Sequence, residues 1–251
     1  GFAVTKAGDV NGDGYADLAV GADGVNNYAG KLYLFHGGPG GLTGSAVSPA
    51  FSANGESAGH YFANALAGAG DVNGDGFADL AVGAYAAENN TGRLYLFHGG
   101  SGGLSGSASS AQFRTSGPVI NSYFAASVAG AGDVNGDGYA DVAAGANGTE
   151  TFTGRLYLFP GGAGGPGGST ANPAFTTGGE IALGSFGRTL AGAGDGNGDG
   201  FADLAIGASG VISNSGKLYL LHGGAAKAET GSSGRPVRAN QLRVDGSNRW
   251  V

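Results

Sequence analysis

Four nine-residue segments of this chain set oxygen-bearing side chains at the spacing of a loop that binds a hard cation. The first reads Asp9-Val10-Asn11-Gly12-Asp13-Gly14-Tyr15-Ala16-Asp17, and the others start at Asp71, Asp133 and Asp195, each 62 residues after the one before. Alternate residues of a tight loop point inward, so side-chain oxygens at loop positions 1, 3, 5 and 9 can converge on one ion with the backbone carbonyl at position 7. The predicted ligands are Asp9, Asn11, Asp13, Tyr15 and Asp17 in the first loop and Asp71, Asn73, Asp75, Phe77 and Asp79 in the second. Asp133, Asn135, Asp137, Tyr139 and Asp141 form the third set, and Asp195, Asn197, Asp199, Phe201 and Asp203 the fourth. Glycine at position 6 (Gly14, Gly76, Gly138, Gly200) permits the sharp reversal. An all-oxygen set with three carboxylates favours Ca2+ over zinc or copper, and four loops in register predict four Ca2+ sites. Each loop supplies its own ligands, so loss of Asp75 is expected to remove the second site and leave the other three.

The composition follows from these loops. Of 19 acidic residues, 12 occupy ligand positions, which leaves seven for the rest of the chain. The formal charge of -7 would become about +1 with four divalent ions bound, removing most self-repulsion. No polybasic patch marks a nucleic-acid or membrane surface, and no apolar run approaches the length of a membrane span. Cysteine is absent, which excludes disulfides, thiol catalysis and thiolate metal sites. A sequence that opens on Gly1 without Met is compatible with processing, trimming or a partial sequence. Extracellular or cell-surface placement is expected on another ground: weak loops of this kind need the millimolar calcium found outside cells.

The elements that position the loops repeat with them. Each loop leads into a short apolar stretch (Ala16 to Ala22 in the first), a variable segment, and then Gly-Lys/Arg-Leu-Tyr-Leu at Gly30 to Leu34, Gly92 to Leu96, Gly154 to Leu158 and Gly216 to Leu220. Gly-Gly turns follow, and a fourth segment centres on Phe51, Phe113 and Phe175, with Val237 at the equivalent place. Runs of four to eight residues with alternating polarity, bounded by Gly, Asn and Ser, read as strands, and no stretch has helical periodicity. Four strands per repeat of about 60 residues is the signature of a propeller blade. The expected fold is an all-β propeller with four visible four-stranded blades in one domain spanning 1–251, divided near 1–61, 62–123, 124–185 and 186–251.

These residues resemble the FG-GAP repeats of integrin alpha-subunit propellers and of related bacterial and fungal propellers. The resemblance covers nearly the whole chain and rests on Phe186-Gly187, the calcium loops, and Gly-Ala at Gly21-Ala22, Gly83-Ala84, Gly145-Ala146 and Gly207-Ala208 where the family often has Gly-Ala-Pro. It implies that each loop joins the innermost strand of a blade to its second strand. Two departures are the missing proline and the count of four repeats, against the seven that usually close the family's ring. In phase, Gly1 aligns with Ala63, Ala125 and Gly187, and the tail Asn248-Arg249-Trp250-Val251 matches the positions that the first inner strand lacks. That tail is expected to complete blade one of its own chain, to complete a neighbouring copy, or to be a truncated fifth repeat.

Other signals have plainer readings. Gly55-Glu56-Ser57-Ala58-Gly59 matches a nucleophile elbow, but no helix follows it, so it reads as a turn. Gly162 to Gly167 fits a dinucleotide fingerprint by accident, with proline inside and no βαβ unit around it. His36, His98 and His222 share one phase with Pro160 and are read as strand-end residues, whereas Tyr33, Tyr95, Tyr157 and Tyr219 are read as packing between blades. Asn89-Asn90-Thr91 and Asn147-Gly148-Thr149 match the glycosylation sequon, a weak signal. The variable stretches Asp23 to Ala29, Tyr85 to Thr91, Asn147 to Thr153 and Ser209 to Ser215 differ while their frames do not, as in a scaffold with interchangeable contact loops.

The expected function is therefore a non-enzymatic, calcium-stabilised module for adhesion, surface or matrix structure, or self-assembly. Its partners would be a protein or glycan surface ligand or other copies of the chain. Calcium-dependent lectin-like carbohydrate binding is the alternative, and it requires an exposed aromatic with paired polar groups. An enzyme is disfavoured because nearly all carboxylates are committed to the loops.

Overall fold

The computed structural model describes residues 1–211 and 215–224. Alternating polarity produces 15 strands in four antiparallel meanders. The first sheet holds β1 (Ala3–Gly8), β2 (Asp17–Ala22), β3 (Lys31–Phe35) and β4 (Phe51–Asn54). The second holds β5 (Ala65–Gly70), β6 (Asp79–Ala84), β7 (Arg93–Phe97) and β8 (Phe113–Ser116). The third holds β9 (Phe124–Gly132), β10 (Asp141–Ala146), β11 (Arg155–Phe159) and β12 (Phe175–Gly178). The fourth shows β13 (Phe186–Gly194), β14 (Asp203–Ala208) and β15 (Lys217–Leu221), while the segment expected around Val237 and the tail Asn248 to Val251 lie outside the described residues. Register repeats as well: Val20 faces Tyr33, Val82 faces Tyr95, Ala144 faces Tyr157 and Ile206 faces Tyr219.

Successive sheets stand side by side, with β1 against β5, β5 against β9 and β9 against β13. The start of each new sheet is tied to the sheet before it by a parallel bridge at the repeat's leading phenylalanine, Gly30 to Phe62, Gly92 to Phe124 and Gly154 to Phe186. Close approach of the sheets requires glycine at Gly83, where a Cβ would overlap the Ala125 carbonyl. Shape and sequence are thus matched at each junction.

The core lies between the sheets. One cluster joins Leu32 and Leu34 of the first sheet to Phe62, Val82, Tyr95 and Phe97 of the second. The next joins Leu94 and Leu96 to Phe124, Val142, Tyr157 and Phe159, and the third joins Leu156 and Leu158 to Phe186, Ile206, Tyr219 and Leu221. At each of these three junctions the earlier sheet offers a Leu-x-Leu face and the later sheet an aromatic face. Full burial of each such leucine contributes roughly 1.5–3 kcal/mol. Tyr95, Tyr157 and Tyr219 are buried as expected, edge-on to Phe62, Phe124 and Phe186, whereas Tyr33 of the first sheet is only half-buried.

The variable segments hold a feature that sequence periodicity does not show. In the turn Val25–Tyr28, Asn26, Asn27 and Tyr28 have φ of 54, 55 and 61°, and the turns Ala87–Asn90 and Thr149–Phe152 repeat it. Three successive left-handed non-glycine residues carry strain of about 1–2 kcal/mol each, maintained by hydrogen bonds to the next sheet such as Tyr61 N to the Tyr28 carbonyl (2.8 Å).

Candidate metal centre

Each predicted loop closes on its own first aspartate. In the second loop, Asp71 Oδ1 accepts from Gly74 N (2.6 Å) and Asp75 N (3.1 Å), and Oδ2 accepts from Gly76 N (2.8 Å). Asn73 Nδ2 donates to Asp75 Oδ2 (2.9 Å), and Asp75 Oδ1 accepts from Phe77 N (3.0 Å). The other three loops repeat the pattern on Asp9, Asp133 and Asp195. Gly74 and Gly76 take φ of 76 and 89° within it, a conformation that other residues reach only with strain.

The position-9 carboxylates are set apart from that exposed tip. Asp17, Asp79, Asp141 and Asp203 are buried, and each spans two backbone N–H groups: Asp79 accepts from Val72 N (2.9 Å) and Gly99 N (2.8 Å), which staples the loop to the turn after the third strand. The structure thus brings positions 1, 3 and 5 together at the tip and places position 9 beneath them. Among the described residues, no three carboxylate or imidazole groups gather into one ligating cluster in this conformation.

The donor set fits a hard divalent cation. All candidate donors are oxygens, and a carboxylate oxygen that accepts one N–H retains a further lone pair. Burial pushes the Asp79 carboxyl up to about 7, opposed by the Val72 and Gly99 N–H groups and reinforced by repulsion from Asp75 and Asp71. Asp141 is raised to about 6 by burial, with Asp137 and Asp133 adding in the same way. These buried carboxylates lack a compensating positive charge, which is what a divalent ion supplies. Asp203 differs: burial pushes it up, but hydrogen bonds from Gly223, His222 and Gly196 outweigh that and hold it below the ordinary carboxylate value.

The loops also touch one another through their backbones. The position-1 carbonyl of each loop accepts an N–H from the next: Ala78 N to Asp9 O (3.0 Å), Ala140 N to Asp71 O (3.0 Å) and Ala202 N to Asp133 O (2.9 Å). Position-2 carbonyls accept from the following Gly-Gly turn, as in Gly100 N to Val10 O (3.0 Å) and Gly162 N to Val72 O (2.9 Å). The position-7 ring lies over the position-4 glycine of the preceding loop, so that a Cβ on Gly74 would stand 2.6 Å from Tyr139 Cε1. Ligands are local, but the backbone that presents them is shared. The available signal was the aromatic at position 7 and the glycine at position 4 of every loop.

The histidines belong to this end of the sheets. His98 Nδ1 lies 3.2 Å from Asn73 Nδ2, and His222 Nδ1 lies 3.1 Å from Asp203 Oδ2. They abut the loops and do not form a separate ring. Ser57 of the elbow-like sequence sits in the β4–β5 connection.

The opposite rim carries an aromatic row. Ring centroids of Tyr28 and Tyr61 are 5.1 Å apart, Tyr61 and Tyr85 5.1 Å, Tyr85 and Tyr123 6.2 Å, and Tyr123 and Phe152 6.0 Å. Tyr28 and Phe152 are exposed at its ends, beside exposed Val119, Ile120, Ile181 and Leu183. Two asparagine pairs accompany the row, Asn26 with Asn54 (3.4 Å) and Asn90 with Asn121 (3.1 Å). Sequence reasoning missed it because its members come from five separate connections, Tyr28, Tyr85 and Phe152 between second and third strands and Tyr61 and Tyr123 between one sheet and the next, that only the fold brings together. Below it, Glu56 pairs with Arg93 (2.5 Å) and Arg114 (2.8 Å), binding the first sheet to the second.

The family model for the FG-GAP repeat matches residues 1–35, 62–97, 124–159 and 186–221. Integrin alpha-5 of Xenopus laevis is 31% identical over 163 residues, 60% of this chain and 15% of that protein. Human integrin alpha-X is 43% identical over 89 residues, 34% of the chain and 7% of that protein, and integrin alpha-PS2 of Drosophila melanogaster is 42% identical over 93 residues, 35% and 7%. The matched stretches cover at most 15% of these relatives' own lengths.

Proposed function

The chain belongs to the FG-GAP repeat family, and we propose that it is a non-enzymatic, extracellular, calcium-stabilised propeller module that binds an adhesion-type ligand on its aromatic rim. Asp71, Asn73, Asp75, the Phe77 carbonyl and Asp79 would hold one ion, and the equivalent residues of the other loops three more. A bound ion supplies positive charge to three carboxylates that otherwise repel. The chain's own residues then do the rest: Asp71 fixes the loop backbone, Asp79 staples the loop to the turn after β7, and the carbonyls of Asp71 and Val72 hold the next sheet in place.

The observation that carries the binding role is the row from Tyr28 to Phe152 at the rim away from the metal loops. Large exposed aromatic and aliphatic groups gathered on the connections of one rim are the composition of a contact surface. The asparagine pairs beside the row also support the second reading, a glycan ligand stacked on tyrosine and hydrogen-bonded by amide groups. The test is solid-phase binding to panels of matrix proteins and of glycans, with and without chelator. Tyr28→Ser with Phe152→Ser should abolish binding while the melting temperature stays within a few degrees. Binding that survives both the rim substitutions and chelation would contradict the proposal.

A further inference from the structure

Tyr28, Tyr61, Tyr85 and Tyr123 stand in line at the rim, with ring centroids 5.1, 5.1 and 6.2 Å apart and ring planes tilted by 34, 35 and 42°. Among the described residues, these three contacts are the only ones between two tyrosine rings. Tyr95, Tyr157 and Tyr219 are sealed against phenylalanines instead.

The backbone holds the row in place at a cost. Tyr28, Tyr61 and Tyr123 have φ of 61, 55 and 50°, in the left-handed region where a bulky side chain is strained. Tyr61 N donates to the Tyr28 carbonyl (2.8 Å) and Tyr123 N to the Asn90 carbonyl (2.9 Å), which fixes that conformation. Burial, reinforced by repulsion from the Tyr61 phenol, Asp23 and the Tyr123 phenol, holds Tyr85 above its ordinary value, so it stays a neutral phenol. Tyr28 is exposed and the other three rings are half-buried, within reach of a small oxidant.

Phenols held in contact can couple oxidatively. Loss of one electron and the phenolic proton from each of two neighbours leaves two phenoxyl radicals, with unpaired spin on the carbons ortho to oxygen. Two such carbons join in a C–C bond, and each displaced ring hydrogen returns to its phenolic oxygen. Hydrogen peroxide takes up the two electrons and two protons and becomes two waters, through a haem peroxidase that removes one electron at a time. Fixed contact makes the coupling step intramolecular, which favours it over coupling between chains.

We propose that this row is an oxidative cross-linking site, where peroxide and a haem peroxidase join adjacent tyrosines as dityrosine. Tyr28 belongs to the first sheet and Tyr85 to the second, while Tyr61 and Tyr123 lie in the connections that lead into the second and third sheets. A link therefore ties the turn of one sheet to the entry of a sheet in a chain that has no cysteine for disulfides, and it restricts the unfolded chain as a disulfide would. The inference is independent of which ligand the rim takes.

The test treats calcium-loaded chain, at low micromolar concentration, with a haem peroxidase and limiting peroxide. Dityrosine fluorescence should appear in material that runs as one chain under denaturing conditions and has lost two hydrogens per link. Cleavage at Asp, Lys and Arg should release joined peptides that carry Tyr61 with Tyr28 or Tyr85, or Tyr85 with Tyr123. Tyr61→Phe with Tyr123→Phe removes a phenol from every contact but keeps each ring, so the melting transition should persist and the link within the chain should vanish. Tyr33→Phe should leave the link unchanged. A wild type that forms no link within the chain, a link that maps outside the row, or one that survives the Tyr61 and Tyr123 substitutions would each overturn the proposal.

Discussion

Strands β2 and β6 have the same six residues, Asp-Leu-Ala-Val-Gly-Ala, yet all six are buried in β6, while in β2 only Asp17, Ala19 and Gly21 are. The difference is a neighbour. β6 lies between the first and third sheets, whereas β2 has a sheet on one side only, so Leu18, Val20 and Ala22 keep partial contact with solvent. Burial in this fold is a property of position in the stack and not of the strand. An end sheet should therefore tolerate what an inner sheet cannot.

The largest effect expected from that contrast is at equivalent leucines. Leu94→Ala empties a junction and should cost about 2–5 kcal/mol, whereas Leu218→Ala should stay within about 0.5 kcal/mol. Chemical denaturation in calcium reads both, and equal costs would break the comparison.

Acidity separates the loops in the same way. In chelated protein, Asp79 and Asp141 take up protons more readily folded than unfolded, because burial raises them to about 7 and about 6. Their contribution to stability is therefore fully present below the ordinary carboxylate value and is lost as pH rises through those folded values. Asp203 is lowered, so its contribution has the opposite sign and is lost as pH falls. Melting temperature without calcium should rise on going from pH 8 toward 5. Asp79→Asn should flatten that rise, and Asp203→Asn should not.

A smaller effect is expected from the shared backbone of the loops. Asp75→Ala should weaken the second site most, the first and third less, and the fourth least, because hydrogen bonds run from Ala78 to Asp9 and from Ala140 to Asp71. Calorimetry that finds three unaltered sites would restore the picture of independent loops.

Much of this was legible from residue types. The 62-residue period located the strands because alternation and Gly-rich turns recur with it, and the closure of each loop on its first aspartate was written in Asp, Asn and Gly at fixed offsets. The buried tyrosines were legible too, since Leu-Tyr-Leu alternation assigns opposite faces. What alternation does not encode is which face meets a neighbouring sheet, so the exposure of Leu218 and Leu220 had no signature. The aromatic row was hidden for a related reason: Tyr61 and Tyr123 share one phase of the repeat and Tyr28 and Phe152 another, but Tyr61 and Tyr85 are 24 positions apart and meet only because β5 and β6 are antiparallel. The left-handed turns were equally silent, because Glu88 and Thr151 are ordinary residues whose backbone is constrained by the adjacent sheet.

The central claim is that calcium in four loops holds the stack together, and a calcium titration into chelated chain tests it most directly. Calorimetry should saturate at four ions per chain, and the melting temperature should climb by many degrees, since each site held at a hundredfold over its Kd adds about 2.7 kcal/mol. Saturation at fewer ions, or binding that leaves the melting temperature where it was, would contradict the account.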